Sequence, residues 1–175
     1  MSLLLQIPVQ MLFHLTPRDR ALQQTRVRSA EYLDLVRKAG AGAGVARNVP
    51  KMMGVDEDMR DWSLFQLLEH NTIVNRSITR LICELSEGVP PAEMTRIDPK
   101  RDVMPSAGPG EEQVEAFRLS VEDFLDRVGP LSGLRNTIRI PHPVFGRFNA
   151  HQWTCMLGFH LSVHLRQARF LAMHV

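Results

Sequence analysis

The stretch His142-Pro143-Val144-Phe145-Gly146-Arg147-Phe148-Asn149-Ala150-His151-Gln152-Trp153, continued through Phe159-His160-Leu161-Ser162-Val163-His164-Leu165-Arg166-Gln167, decides how the rest of the chain is read. From Asn149, a plausible N-cap, to about Ala172 it has the period of a long amphipathic helix. Trp153, Leu157, His160, His164, Gln167 and Leu171 recur at spacings of 4, 3, 4, 3 and 4. That is the buried seam of a bundle helix, so two histidines and a glutamine occupy positions where leucine is expected. Each such choice gives up apolar burial worth roughly 1.5–3 kcal/mol. It also obliges the buried ring nitrogens to find partners. Residues i and i+4 lie one above the other on a helix face, so His160 and His164 can reach one point.

Working outward, three further helices are expected. Thr16 as N-cap with Pro17 at the first helical position opens a helix over about 16–39, whose apolar stripe is weak at its start. Gly40-Ala41-Gly42-Ala43-Gly44 lacks the Gly-Lys-Ser/Thr and G-x-G-x-x-G patterns, so it reads as a flexible helix-ending loop rather than a phosphate cradle. Ser63 and Gln66 make a capping box for a helix over about 63–87, with Leu67, His70, Val74, Ser77 or Ile78, Leu81 and Leu85 on its inward stripe. A third His thus takes a core position on a second helix. Glu111 and Glu112 open the next helix, about 111–128, striped by Val114, Phe117, Val121, Phe124, Leu125 and Val128. The proline-rich connector before it, 88–110, is long enough to span the length of the preceding helix, so the two helices flanking it can run parallel, joined by a crossover. Residues 134–141 alternate partly, but a lone strand there is discounted for want of a partner.

Composition excludes several classes. A formal net charge of +2 on 175 residues, with both signs interspersed, does not make a nucleic-acid or anionic-membrane surface. The apolar N-terminus lacks a basic region and is interrupted by Pro8, so it does not read as a signal peptide, and no run is long enough to span a membrane. Two cysteines, Cys83 and Cys155, are no disulfide framework, and a cytoplasmic protein is expected. No repeat or linker divides the chain, so residues 1–175 read as one all-α domain.

His70, His160 and His164 are therefore the candidate metal ligands, against the plainer reading of a buried hydrogen-bonded histidine cluster. Three nitrogens without a fourth ligand leave an open position, the pattern of a catalytic rather than a structural site. Imidazoles suit zinc, nickel, copper or iron and do not choose among them. The zinc-protease motif is absent, since Leu161 follows His160. His151, nine residues before His160, faces the other way, and His14, His142 and His174 fall outside the seam. Glu69 points off the His70 face, which leaves no evident general base. Two readings stand for Gln167: a group lining the pocket, or a polar residue at the bundle end. His142 and Trp153 are further candidates for the pocket or its surroundings.

These residues carry a family likeness. Trp62-Ser63-x-x-x-Leu67-Leu68-x-His70, then His142-Pro143-x-Phe145-Gly146, Trp153 and His160-x-x-x-His164-Leu165-Arg166-Gln167 resemble the DinB-like superfamily of helical metalloproteins over about 60–172. The polar, arginine-rich first helix departs from that pattern. The resemblance implies a four-helix bundle in up-down-down-up order, with a long crossover between its second and third helices. It implies nickel or zinc on His70, His160 and His164, and a homodimer. Some members of the superfamily are transferases or isomerases that use low-molecular-weight thiols, and others are hydrolases. A small-molecule substrate, with no nucleic acid or membrane partner, is the corresponding expectation.

Overall fold

The computed structural model describes residues 3–88 and 101–174, and only the backbone of Leu3, Leu4 and Leu5. Its elements are α1 (Leu3–Leu15), α2 (Arg18–Ala39), α3 (Leu64–Ser86), α4 (Glu112–Val128), β1 (Ile140–His142), β2 (Gly146–Phe148) and α5 (Ala150–Met173). The described fold is mainly helical, as the 3–4 spacing predicts, and its single sheet has two strands.

The two helices that carry histidines start as their sequences dictate. At α3 the Gln66 amide donates to Ser63 Oγ at 3.2 Å, while the Ser63 amide donates to Gln66 Oε1 at 2.9 Å. At α5 the same reciprocal pair forms between Asn149 and Gln152, at 3.0 and 3.2 Å. Each box satisfies two amide donors that a helix end would otherwise leave unpaired, so both starts are fixed in register.

Four expectations are corrected. The apolar N-terminal stretch is itself a helix, α1. Its inward contacts include glutamines: Gln6 donates to the Val144 carbonyl at 3.2 Å and Gln10 to that of Phe145 at 2.9 Å. Ile7, Met11 and Leu15 meanwhile point outward, so apolar residues on both faces blur the helical period. Next, Pro17 rather than Thr16 caps α2, and the Thr16 hydroxyl turns back to the Leu12 carbonyl at 2.7 Å. Gly40–Gly44 winds into a 3₁₀ turn with Ala43 buried, rather than a loose loop. Lastly, Ile140 does have a strand partner. A tight turn folds Gly146–Phe148 back antiparallel onto Ile140–His142, with Ile140 opposite Phe148 and His142 opposite Gly146.

Helix α5 packs against α1, α2 and α3, and α3 packs against α4. The first nine residues of α5 are all buried. Tyr32 of α2, Leu67, Leu68 and Ile82 of α3, Phe117 and Phe124 of α4, and Phe148 of β2 are also fully buried in the core. Contacts between element ends show how the helices run. Asn136, shortly before α5, donates to the Leu85 carbonyl at the end of α3, whereas Gln167 near the end of α5 donates to Met59 just before α3. Along α2 and α5, Gln24 meets Ser162 and Glu31 meets Arg169, so numbering rises together on the two helices. Ser106, at the approach to α4, donates backbone and side chain to Glu69 near the start of α3. Residues 89–100 of the expected crossover lie outside the described residues.

Candidate metal centre

His70 sits in the second turn of α3, and His160 and His164 lie one turn apart around the middle of α5. Because α3 and α5 run in opposite directions, these positions fall at the same level. Ring centroids are 5.2 Å apart for His70–His160, 4.9 Å for His70–His164 and 4.7 Å for His160–His164. One donor nitrogen from each ring lies within 4.8 Å of the others. Three imidazoles on one tetrahedral ion at about 2.0–2.1 Å would place their ring centres about 5 Å apart and their donor nitrogens about 3.3 Å apart. The rings are thus at the required separation, and small rotations would bring the nitrogens to a common point.

Hydrogen bonds on the outer side fix which nitrogen faces inward. His70 Nδ1 lies 2.7 Å from the Val103 carbonyl, which can only accept, so Nδ1 carries the proton and Nε2 keeps its lone pair. His164 Nδ1 lies 3.1 Å from Gln167 Oε1, whose amide nitrogen donates in turn to the Met59 carbonyl at 2.6 Å. Gln167 is thereby held with its oxygen towards His164, and His164 Nε2 is likewise left with a lone pair. Such outer contacts orient metal-bound histidines generally. His70 Nε2 and His160 Nε2 are both buried without a hydrogen-bond partner, an arrangement that costs about 1–3 kcal/mol per group unless something occupies the gap. The lone pairs of His70 Nε2 and His164 Nε2, together with the unpartnered His160 Nε2, fit a cation.

Burial disfavours charging these rings. His70 and His164 are 1% and 3% exposed, whereas His160 keeps some surface although its Nε2 is covered. His70 is pushed down to about 3, chiefly by burial and then by the neighbouring His164, against the Val103 hydrogen bond that opposes the shift. His160 is lowered well below the ordinary imidazole range by burial, then by His164, His70 and His142. His164 is lowered by burial, with Gln167 and Asp56 opposing. All three stay neutral, the form that binds metal.

The other residues singled out in the sequence separate cleanly. Gln167 is fully buried beneath His164 and hydrogen-bonded to its Nδ1. Trp153 and His142 lie side by side with ring centroids 5.3 Å apart, below the cluster on the α5 seam. His151 faces α1 instead, close to the Phe13 and Thr16 carbonyls. Glu69 is occupied by Ser106, and Arg169 by Glu31. Cys155 is buried near Phe13, and burial pushes its thiol up to about 12. What sequence reasoning missed are the carbonyls of Val103 and Met59. Any residue type supplies a carbonyl, so no signal marks them. Trp62, whose ring lies 5.2 Å from that of His70, also walls the cluster.

Fold and site together define a helical protein with a buried, inward-facing three-histidine cluster. Comparison with family models, with curated proteins and with solved structures returns no match.

Proposed function

We propose that the protein is a DinB-like four-helix bundle, up-down-down-up over α2, α3, α4 and α5, that binds a divalent metal on His70, His160 and His164. The observation that carries this reading is the pair of buried, unpartnered Nε2 atoms beside a third imidazole whose outer nitrogen is tied to Gln167. The end contacts given above support the bundle order: α3 and α4 share a starting end, and α2 and α5 share the other. Nickel or zinc suits three imidazoles. Among the described residues no carboxylate or thiol joins the cluster, which leaves a fourth coordination position open. A metal there would supply Lewis-acid activation of water or of a low-molecular-weight thiol, chemistry of the hydrolase or thiol-transferase type. The protein's own part is to present three neutral nitrogens, those of His70 and His164 held through Val103 and Gln167, and to keep bulk water from His70 and His164. Two unpaired cysteines suit a cytoplasmic setting, and the outward row Ile7, Met11 and Leu15 on α1 suits a homodimer.

A second reading, a non-catalytic metal-binding or interaction protein, is favoured by one observation. His70 and His164 are buried, which leaves a substrate little access to the cluster. Metal content separates either reading from a plain histidine cluster. Purified protein incubated with zinc or nickel should retain one equivalent, and His160→Ala should lose it. Equal, negligible metal in both proteins would end the metal proposal.

A further inference from the structure

Away from the three histidines, a cleft of about 440 Å³ opens where the junction of α1 and α2, the loop after α4 and the first turn of α5 meet. Arg18, Leu131, Ser132, Arg135 and His151 are among the residues that line it, and no carboxylate is. Each guanidinium is anchored through one nitrogen to a backbone carbonyl: Arg18 Nη1 donates to Leu131, and Arg135 Nη2 donates to His14 at 2.9 Å. Nε and Nη1 of Arg135 have no partner among the described residues. The carboxylate beside Arg18, that of Asp19, stands 3.8 Å from its Nε, beyond hydrogen-bond distance, with its side chain 93% exposed. His151 Nε2 lies 3.1 Å from the Phe13 carbonyl and 3.0 Å from that of Thr16, which can only accept, so this nitrogen carries the ring proton. It then cannot accept from Arg135 Nη2, which stands 2.9 Å away. Two donors are thus pressed together at the cleft with no carboxylate facing them. Arg18 also opens α2, whose first turn has no side-chain cap because the Thr16 hydroxyl turns back to Leu12. The uncapped amides there add potential of the same sign.

We propose that this cleft binds a phosphate monoester, whose phosphoryl oxygens accept hydrogen bonds from the free nitrogens of Arg135 and Arg18. Charge and shape select that class. Two guanidinium charges call for two negative charges, which one phosphate monoester supplies and one carboxylate does not. The planar fork of an arginine matches the oxygens of a phosphate, and both forks are already held in place by carbonyls. The cleft has the size of sites for small organic ligands, about 300–1,000 Å³, so the ester keeps room for its organic part against Pro17 and Leu131. The site stands apart from the histidine cluster and does not depend on a metal there.

The test titrates the metal-stripped full chain with phenyl phosphate and with benzoate by calorimetry at low ionic strength, where charge contacts are least screened. Wild type should bind the phosphate ester about tenfold more tightly than the carboxylate, and Arg18→Gln and Arg135→Gln should each weaken the ester about tenfold, the loss of one hydrogen bond to a charged group. Ser132→Glu keeps both arginines and sets a carboxylate on the exposed rim. It should abolish ester binding, and it covers the case in which an arginine variant fails to fold. Arg80→Gln, at an exposed arginine of α3, and His160→Ala should bind the ester as wild type does. No saturable ester binding by wild type, benzoate bound as tightly, or binding undiminished in Ser132→Glu would overturn the proposal. Binding lost in His160→Ala would place the anion at the histidine cluster and overturn it as well.

Discussion

Gln167 joins His164 to the backbone of Met59: its Oε1 lies 3.1 Å from His164 Nδ1, and its Nε2 donates to the Met59 carbonyl at 2.6 Å. One side chain on α5 thereby orients a histidine of the cluster on its own helix and ties that helix to the approach to α3. The two duties can be separated by substitution. Gln167→Leu removes both, leaving a buried carbonyl and a buried ring nitrogen unpaired. We expect a stability loss of about 1–3 kcal/mol and metal affinity reduced about 10–100-fold. Gln167→Glu keeps an acceptor for His164 but sets a second oxygen against the Met59 carbonyl. Its unfolding midpoint should fall while its metal affinity stays near that of wild type. If Leu and Glu affect affinity alike, Gln167 does not orient His164.

Acid should destabilise the metal-free protein before any carboxylate titrates. His70 has a folded value of about 3 against an ordinary imidazole value near 6.5. Above the ordinary value neither state binds the proton, and the stability is fully present. As pH falls below it, the unfolded chain takes up a proton that the folded protein refuses, so stability declines until the folded value is reached. His70 alone accounts for about 2 kcal/mol of loss between pH 7 and pH 5. His160 and His164 shift in the same direction and add to it. Urea midpoints of metal-stripped protein should therefore drop steeply over that interval, and His70→Leu should flatten the dependence. A midpoint that is the same at pH 7 and pH 5 would mean that these rings are hydrated in solution.

His160, His164 and His70 are legible in the sequence because each interrupts an apolar seam, and a polar residue at a seam position must have a reason. The starts of α3 and α5 are legible because Ser63-Gln66 and Asn149 are local chemistry, complete within one turn. Where recognition depends on a distant partner, legibility ends. Ile140 pairs with Phe148 only because a turn at Gly146 brings the chain back, and Gly146 holds the positive φ of 86° that this turn requires. Likewise, α1 shows no clear period because Gln6 and Gln10 make its inward contacts through carbonyls 135 or more residues away. The groups that orient His70 and His164 are backbone atoms or reach backbone atoms, and the composition of Val103 or Met59 says nothing of them.

The contact of α2 with α5 at Gly158 offers a test of the fold independent of any metal. A Cβ added there would stand 3.1 Å from Thr25 Oγ1, 3.3 Å from Gln24 Cγ and 3.3 Å from the Thr25 amide nitrogen. Thr25 is fully buried with its hydroxyl bonded to the Ala21 carbonyl, so it has little freedom to yield, and its amide has none. On the same helix pair the Tyr32 hydroxyl donates to the Leu161 carbonyl at 2.9 Å, which resists separation of the helices. Gly158→Ala gains helix propensity of about 1 kcal/mol and loses a comparable amount to the tight contact, so it should be close to neutral. Gly158→Val adds two further methyl groups with no room for them, and it should lower stability by about 2–3 kcal/mol. Chemical denaturation of the two variants beside wild type reads the difference. A valine variant as stable as the alanine one would show that α2 and α5 do not meet at Gly158 in solution.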